Sequence, residues 1–425
     1  MRRSLIYSVI LLLGTMCFAV VADEAQAAEK IIPSSIAKDC SKDVSSAFGD
    51  WIDTIQPGDT AKLQPGGCYI VNETIGFGKN GATFDGAGGT IRRTKLTTET
   101  GSQFHMLRIS GASNVTVRGT RFEVRDGGPE EYQDKHAFEH AISVLDSTNT
   151  LLTQLSIDKP RGDCLYVRGA ARITGKDVNC TGAKRQGIGF VRGTDAVFDN
   201  FDMTGVIRSG LDFEPNHVDH EILRVSLLNS TIGVGNLPVT SQGRNAAIRD
   251  ILIQNNDFIR GKGMVWGHQT SPGDDACYAR TGTRSNWRIL GNRGSGIGSY
   301  GGAKIVLCAI DGFEIAGNQI VGPDPVLLEA TKGGSVKLNQ FPGSAVAYKA
   351  KALQSTPVAC GNVLSGGLDR QCGGTEPPPS STTTTTTIPI PPSSTTTTTL
   401  PPPPTTISKQ EFIDQLRALL DAYEG

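Results

Sequence analysis

The segment HAISV at residues 140–144 is followed by DCLYV at 163–167, QGIGF at 186–190 and SGLDF at 209–213, so the start advances by 23 residues each time. The apolar residues of these segments stay in register: Ile142 and Val144, Leu165 and Val167, Ile188 and Phe190, Leu211 and Phe213. A fixed period of about 20–30 residues with short alternating strands is typical of a solenoid, in which each repeat buries its apolar face against the next. A helical repeat would need apolar residues three and four positions apart over longer runs. The repeat therefore predicts an all-β chain folded as a parallel β-helix.

A short helix is predicted before the first coil. Val44, Phe48, Trp51 and Ile52 fall on one helical face, and Asp43 or Ser45 could cap the helix. Solenoids need such a cap because the edge of their first coil is otherwise exposed. The first short strands are predicted directly after it, at 61–63, 68–71 and 83–85.

Asparagines recur at the bends that follow later strands. They are Asn229, Asn256, Asn292 and Asn318. Asparagine tolerates a left-handed backbone and can stack its amide on the asparagine of the next coil. We therefore predict a stack of asparagines along one corner of the β-helix.

The chain begins with features of an export signal. Arg2 and Arg3 precede an apolar run over residues 5–21, and small residues follow at Ala25 and Ala27. This order is typical of a cleaved secretory signal peptide, here predicted over residues 1–27. The alternative is an uncleaved membrane anchor, because the apolar run is nearly long enough to span a bilayer. The β-helix domain is then predicted over residues 28–373.

The C-terminal part changes composition. Residues 374–406 are rich in proline, threonine and serine, which predicts a disordered, extended linker. Residues 407–425 predict a short amphipathic helix, with Ser408 as its cap and an apolar stripe that includes Phe412 and Leu416. Either this helix docks on a partner, or it is marginally stable and has none.

Charge and cysteines constrain the partners and the compartment. The formal net charge is −1, so no strong field would attract nucleic acid. We also expect the protein to be a monomer. One of the nine cysteines, Cys17, lies in the predicted signal peptide. An even number then remains, which predicts disulfides in an exported chain. Short loops favour four pairs, although sequence alone leaves other pairings open: Cys40–Cys68, Cys164–Cys180, Cys277–Cys308 and Cys360–Cys372.

Alternation along the repeated strands predicts an open trough on the outer surface. If Leu165, Ile188 and Leu211 point inward, their neighbours point outward. Many of these outward residues are small, and they form a row that ends in two carboxylates: Ala141, Ser143, Cys164, Tyr166, Gly187, Gly189, Gly210, Asp212 and Glu214. Titratable residues precede each strand and would line the rim: His136, Glu139, His140, Asp163, Lys184, Arg185 and Arg208.

An acid, a base and several cations along a trough suit a linear glycan that carries negative charges or many hydroxyls. The candidate catalytic residues are Asp163, Arg185, His140, Asp212 and Glu214, and the candidate substrate-binding residues are His136, Tyr166, Lys184 and Arg208. Arg185 or Lys184 would neutralise a uronate carboxylate, and Asp163 or a histidine would move the proton.

Other interpretations of these residues stay open. Asp212 and Glu214 could serve glycoside hydrolysis or bind Ca²⁺, or they could pair with Arg208 or Arg185. Asp163 could instead cap its own bend. The sequence indicates no specific cofactor beyond this alternative Ca²⁺ site and no other metal site.

Residues 261–288 are predicted to form a long loop. Loops of this length inside a compact domain are usually functional or disordered. The loop could place Trp266 or Tyr278 over a sugar face, or it could be a flap held by a disulfide, with its aromatic residues packed in the core.

The repeats, the asparagines at the bends, GDTAKLQPGGCYIVNETI at 58–75 and ATFDGAGGTI at 82–91 resemble the secreted right-handed parallel β-helix proteins of the pectin-lyase-like superfamily. The resemblance covers residues 60–363 and implies their fold. It leaves function open, because this superfamily contains lyases, glycoside hydrolases, epimerases, phage tailspikes and adhesins. The Gly-His-Gly of polygalacturonases, the Arg-x-Pro-x-x-Arg of pectate lyases and the Asp-Pro-His of alginate epimerases are absent from the sequence.

Two functions remain as expectations. The first is a secreted or cell-surface lyase or glycoside hydrolase that acts on an acidic polysaccharide. The second is a non-catalytic carbohydrate-binding or adhesion module, displayed on the cell surface through the threonine- and proline-rich linker. Clustered titratable residues favour the enzyme, whereas the missing family motifs favour the module.

Overall fold

The computed structural model describes residues 27–95, 103–125, 130–241, 246–268, 284–299 and 302–372. Nearly all of the predicted signal peptide, the linker, the C-terminal helix and the loop residue Tyr278 lie outside these ranges. Within them, no helix is both long enough and apolar enough to cross a membrane.

Parallel strands from successive coils stack into three faces. The first face carries the repeated segments and consists of β5 (Ile75–Gly76), β8 (Phe104–Ser110), β11 (Glu139–Leu145), the start of β13 (Leu165–Thr181), the start of β14 (Gln186–Val206), β15 (Ser209–Phe213), β18 (Val239–Ser241), β21 (Val265–Gly267), β24 (Ile305–Cys308), β27 (Val326–Glu329) and β29 (Lys349–Lys351).

The second face follows in each coil. It consists of β1 (Glu29–Ile31), β3 (Thr60–Lys62), β6 (Thr83–Asp85), β9 (Thr116–Arg118), β12 (Thr148–Asp158), the middle of β13 and β14, β16 (Glu221–Leu228), β19 (Ala247–Gln254), β22 (Arg284–Leu290), β25 (Asp311–Ala316), β28 (Ser335–Lys337) and β30 (Val358–Cys360).

The third face closes the coil. It consists of β2 (Asp39–Asp43), β4 (Cys68–Ile70), β7 (Thr90–Arg93), β10 (Arg121–Val124), the ends of β12, β13 and β14, β17 (Thr231–Val234), β20 (Asp257–Arg260), β23 (Arg293–Gly294) and β26 (Gln319–Ile320). A small antiparallel pair, β31 (Val363–Leu364) and β32 (Gly367–Leu368), follows the last coil.

The predicted register of the four repeated segments is confirmed. Ile142 pairs with Leu165, Leu165 with Ile188, and Ile188 with Leu211. These side chains are buried in one continuous apolar core that runs along the coils. Because each coil buries its apolar residues against the coils on either side, the stack itself provides the core. The prediction of an all-β parallel β-helix is therefore confirmed.

The predicted N-terminal capping helix is also present, as α1 (Ser45–Asp53). Its residues Phe48, Trp51 and Ile52 are buried, as the helical pattern predicts. Val44 occupies the N-cap position, and the Asp43 carboxylate accepts a hydrogen bond from the backbone N–H of Ser45 at 3.0 Å. The carboxylate thus satisfies one of the free N–H groups of the first turn.

A stack of buried asparagine side chains runs along one corner, as predicted, but its first asparagine differs from the predicted one. Asn256, Asn292 and Asn318 belong to it, and the stack continues through Asn339 and Asn362. Asn229 was wrongly included: Ser230 occupies that position and donates its backbone N–H to the Asn256 side chain at 2.9 Å. Asn229 has a left-handed backbone (φ 50°), so its side chain points elsewhere and bonds Asp199 instead.

Three of the four predicted disulfides are present. Their Cα atoms lie 5.0 Å apart in Cys40–Cys68, 6.0 Å in Cys164–Cys180 and 5.1 Å in Cys360–Cys372. The fourth predicted pair includes Cys277, which lies outside the described residues.

The predicted long loop is interrupted by regular structure. Residues 265–267 form β21 and residues 284–290 form β22, so Trp266 lies on a strand of the first face. Its ring is buried, stacks on the His268 ring at 4.8 Å, and packs with Leu237 and Val306. Of the two alternatives, packing against the β-helix is thus observed for Trp266.

Candidate functional site

The outward row of the first face runs through Ser143, Tyr166, Gly189 and Asp212, which pair in register on consecutive coils. The predicted neighbours Ala141, Cys164, Gly187 and Gly210 are not part of this row, and their placement outward was wrong. Cys164 bonds the core residue Cys180, and a Cβ on Gly187 or Gly210 would contact the core side chains Met203 or Ile232. These residues lie where each strand begins and the chain still turns the corner, so strict alternation does not yet hold.

The prediction of an open trough is also wrong. Ser143, Asp163 and Asp212 are fully buried. Residues 130–138, which directly precede β11, lie against this part of the first face and include a short 3₁₀ helix, Asp134–His136.

Three of the residues that are predicted to bind substrate contact this 130–138 segment or belong to it. Lys184 forms an ion pair with Glu130. The Arg208 guanidinium lies over the Tyr132 ring, 4.9 Å from its centroid. His136 itself is part of the segment, and its Nδ1 lies 2.6 Å from the Glu139 carboxylate, which also binds the buried Arg93.

Arg185 is the centre of a network that joins four of the five predicted catalytic residues. Its Nη1 donates to Asp163 Oδ2 and to Gln186 Oε1, both at 2.8 Å. Its Nη2 forms an ion pair with Glu214. The Gln186 amide in turn donates to the Asp212 carboxylate. Sequence reasoning placed Asp163, Arg185, Asp212 and Glu214 near one another and missed Gln186, which connects them.

His140, the fifth predicted catalytic residue, lies beside this network. Its ring stacks between those of His105, at 5.4 Å, and Tyr166, at 4.4 Å. The backbone N–H of Asp163 donates to His140 Nδ1 at 3.1 Å, and Asp163 Oδ2 lies 3.3 Å from the same nitrogen. Because Nδ1 accepts a hydrogen bond, the proton of the neutral ring is on Nε2. Within the described ranges, buried Nε2 has no hydrogen-bond partner.

Burial sets the protonation of this cluster. Removal from water raises the pKa of the Asp163 carboxyl to about 7; Arg185 opposes this rise, and Glu214 adds to it. Burial lowers the pKa of His140 well below its ordinary value, and the nearby His105 and Arg185 lower it further. Burial and the cations Arg108 and Arg168 lower the pKa of His105 to about 4. A carboxyl that exchanges its proton near neutral pH therefore lies beside neutral imidazoles.

The space that Asp163 occupies depends on a glycine. A Cβ at Gly189 would lie 2.5 Å from Asp163 Oδ2 and 2.7 Å from Gln186 Oε1. Real Cβ atoms do not come so close to other atoms, so any larger residue at this position would displace the network. Gly189 thus makes room above its strand for two side chains from neighbouring coils.

The repeat itself contained a signal for part of this site. His140, Asp163, Gln186 and Ser209 begin the four repeated segments, so they occupy one position on consecutive coils. Side chains at this position accept backbone N–H groups from the next coil: His140 from Asp163, and Asp163 from Gln186 at 3.1 Å. This contact is structural and differs from the predicted capping of the same bend by Asp163.

His105 lies 35 residues before His140 and so falls outside the 23-residue period. Its Nδ1 lies 2.7 Å from the Ser143 hydroxyl.

The partners of the Asp212 and Glu214 carboxylates do not favour the alternative Ca²⁺ site. Glu214 faces the Arg185 guanidinium, and Asp212 accepts from the Gln186 amide. A cation next to Glu214 would meet the positive charge of Arg185. Over the parts of the chain that the structure covers, no group of three or more His, Cys, Asp or Glu side chains is arranged to hold a metal ion. The ion pair between Glu214 and Arg185 is the alternative that the structure contains.

Comparison with known proteins identifies the fold. Two structures of the surface adhesin PfbA of Streptococcus pneumoniae match with TM-scores of 0.55 and 0.52, at 12% and 10% identity; they cover 79% and 76% of this chain and 92% and 98% of theirs. The DFA-IIIase of Arthrobacter chlorophenolicus A6 matches with a TM-score of 0.51 at 12% identity, over 79% of this chain and 94% of that chain. The chain shares their right-handed parallel β-helix fold. The predicted resemblance to pectin-lyase-like proteins is thereby confirmed at the level of the fold.

Comparisons at the level of sequence add nothing to this result. No protein-family model matches the chain. No curated protein matches it either. Because the structural matches share so little sequence, they show the architecture and carry no residue roles to this chain.

Proposed function

We propose that this protein is an exported enzyme that hydrolyses an acidic polysaccharide at the Arg185 network. The observation that supports this most strongly is the Asp163 carboxyl, whose pKa is raised by burial to about 7 and which Arg185 links to the more exposed Glu214. Two carboxyl groups in unlike environments are the usual requirement for glycoside hydrolysis. The parallel β-helix provides a long surface along which a linear polymer can lie.

The two carboxyl groups have separate roles in this proposal. Asp163 in its acid form donates a proton to the glycosidic oxygen as the bond from that oxygen to the anomeric carbon breaks. Glu214 accepts a proton from water as the water oxygen bonds to the anomeric carbon. Asp163 then regains a proton from solvent, and Glu214 releases one. His140 Nε2–H, which has no hydrogen-bond partner among the described residues, would donate to a sugar oxygen once substrate reaches it.

Hydrolysis fits these contacts better than β-elimination. A lyase needs a cation free to neutralise the uronate carboxylate while a base removes the neighbouring proton. Arg185, which we expected in that role, is already bound to Asp163 and Glu214, so the role would fall to another cation. The choice of hydrolysis therefore rests on the proton of Asp163. A carboxyl that is still protonated near pH 7 is also better suited to act as an acid than as a base.

The test is a panel of uronate-containing polysaccharides, assayed for new reducing ends and for unsaturated uronate. We expect reducing ends without unsaturated products, and their loss in Asp163→Asn and Glu214→Gln. Asp202→Asn, an exposed aspartate on the third face, is the matched control and should retain activity. Unsaturated products would show elimination instead, and full activity of both site variants would refute the proposed roles.

One observation favours the second candidate, a non-catalytic carbohydrate-binding or adhesion module. The side chains of Asp163 and His140 are fully buried, whereas 29% of the Glu214 side chain is exposed. An enzyme would have to expose Asp163 to its substrate, whereas a binding module would use the outer surface as it stands. Binding to the panel without any cleavage would support this second function.

Export is part of the proposal. Three disulfides among the described residues fit an oxidising compartment outside the cytoplasm, together with the predicted signal peptide. Sequencing of the mature N-terminus would test cleavage after residue 27, and an intact N-terminus would indicate an anchor. The monomeric state and the docking of the C-terminal helix stay predictions.

A further inference from the structure

Two arginines on the first face have no ion-pair partner in the described parts of the chain. Arg108 is exposed on β8, and Arg168 is partly buried on β13. The cations closer to the network are already engaged: Arg185 with Asp163 and Glu214, Lys184 with Glu130, and Arg208 over the ring of Tyr132. Arg108 and Arg168 therefore differ from the cations that sequence reasoning selected for substrate binding.

Register places these two arginines on the same surface. Arg108 pairs with Ser143, and Arg168 pairs with Leu145, so both flank β11 and lie two coils and two residues apart. With about 4.8 Å between strands and about 3.4 Å per residue, their Cα atoms are separated by about 12 Å. Two long side chains can converge across this distance on one anion or hold two neighbouring anions.

The residues between them are buried and adjoin the Arg185 network. Leu145 lies on β11 between the two arginines and packs with Tyr166 and Val191. Tyr166 precedes Arg168 by two residues on the same face of β13, and its ring stacks on His140.

The charges around Arg168 are also unbalanced in a way that an anion would correct. Arg168 pairs with Arg192 on the next coil, at an irregularity in the strand register. Like charges side by side on neighbouring strands are destabilising. Arg192 is compensated by Asp146 at 2.9 Å, whereas Arg168 has no such partner within the described residues.

We propose that Arg108 and Arg168 form an anion-binding subsite that holds the carboxylate or sulfate groups of an acidic glycan next to the Arg185 network. This inference rests on the proposed function for the class of ligand. It transfers the role of charge recognition from Arg185, which is occupied, to two arginines that have no ion-pair partner among the described residues. Guanidinium groups suit this role because they donate two parallel hydrogen bonds to a carboxylate or sulfate.

The test compares the binding of wild type and an Arg108→Ala/Arg168→Ala double variant to polygalacturonate, alginate and chondroitin sulfate. Fully methyl-esterified polygalacturonate is the neutral counterpart with the same backbone. The control variant is Arg249→Ala/Arg260→Ala, which removes two exposed arginines from the second and third faces. Thermal unfolding of both double variants checks that they fold.

We expect wild type to bind at least one anionic polymer and to prefer it to the neutral one. The Arg108/Arg168 variant should bind that polymer at least about tenfold more weakly, whereas the control should change by less than about threefold. Equal losses in the two double variants, or no preference of wild type for any anionic polymer, would overturn the subsite. Binding that depends on the two arginines but is not followed by cleavage would support the subsite and refute hydrolysis. Cleavage that is unaffected in the Arg108/Arg168 variant would support hydrolysis and refute the subsite.

Discussion

Replacement of Gly189 by alanine probes the geometry of the Arg185 network most selectively. The backbone of Gly189 is in β14 and does not have a positive φ, so alanine is compatible with the strand itself. The new methyl group would, however, lie 2.5 Å from Asp163 Oδ2 and 2.7 Å from Gln186 Oε1. Both atoms are held by Arg185 Nη1 at 2.8 Å, so neither can move without losing a hydrogen bond.

The expected cost follows from these contacts. Loss of one charge-assisted hydrogen bond costs about 1.5–3 kcal/mol, and forcing an extra methyl into a packed site costs about 1–3 kcal/mol. We therefore expect Gly189→Ala to lower the free energy of unfolding by about 3–5 kcal/mol. A displacement of about 1 Å in the carboxyl should also reduce hydrolysis about a hundredfold.

Gly76→Ala is the matched control. Gly76 lies on the same face in β5, and a Cβ there would meet no atom within 4 Å. We expect this variant to change the free energy of unfolding by less than about 1 kcal/mol, in the stabilising direction, because alanine restricts the unfolded chain. Urea unfolding and reducing-end assays measure both variants. If Gly189→Ala matched Gly76→Ala in stability and activity, the placement of Asp163 and Gln186 over Gly189 would be refuted.

Three further predictions concern protonation and the buried asparagines. The pKa of His105 is lowered to about 4 in the folded state, so only the unfolded chain takes up this proton between pH 6.5 and 4, and stability falls as the pH falls through that window. Urea unfolding should show that, over this window, wild type loses about 3 kcal/mol more of its free energy of unfolding than His105→Gln does. The exposed His217→Gln is the control and should lose as much as wild type. Equal losses in all three proteins would contradict the burial of a neutral ring. Asn292→Ala should lower the free energy of unfolding by about 3 kcal/mol, because Asn292 Oδ1 accepts the buried backbone N–H of Asn256 at 2.9 Å. The control Asn179→Ala, at an exposed position, should lower it by less than about 1 kcal/mol. Similar costs in the two variants would disprove the asparagine stack. Hydrolysis should fall about tenfold per pH unit above about pH 7, as Asp163 loses its proton; a kcat/KM that stays constant to pH 9 would exclude Asp163 as the acid.

The sequence was most informative where the period of the chain was regular. The 23-residue step fixed the pairing of Ile142, Leu165, Ile188 and Leu211, because a solenoid places equivalent residues on neighbouring coils. The same step brought Asp163, Arg185, Asp212 and Glu214 into one neighbourhood. These predictions needed only register, which the repeat states directly.

Predictions failed where the chain departs from regular strands. Alternation predicts that Gly187 and Gly210 face outward, although a Cβ on either would contact the core side chains Met203 or Ile232. The 130–138 segment covers the site through contacts such as Glu130 with Lys184, which are 54 residues apart in sequence. Such a contact has no local signature in the sequence. Strand geometry alone therefore predicts an open trough, whereas in the structure a segment that precedes β11 contacts later coils and lies against it.

The protonation of Asp163 is the property on which the proposed site most depends. Carbon-13 NMR of the side-chain carboxyl, assigned by its absence in Asp163→Asn, would follow this group through a titration of the wild-type protein. We expect a midpoint near pH 7. A midpoint near the ordinary aspartate value of about 3.9 would contradict a proton-donating Asp163 and the hydrolysis built on it.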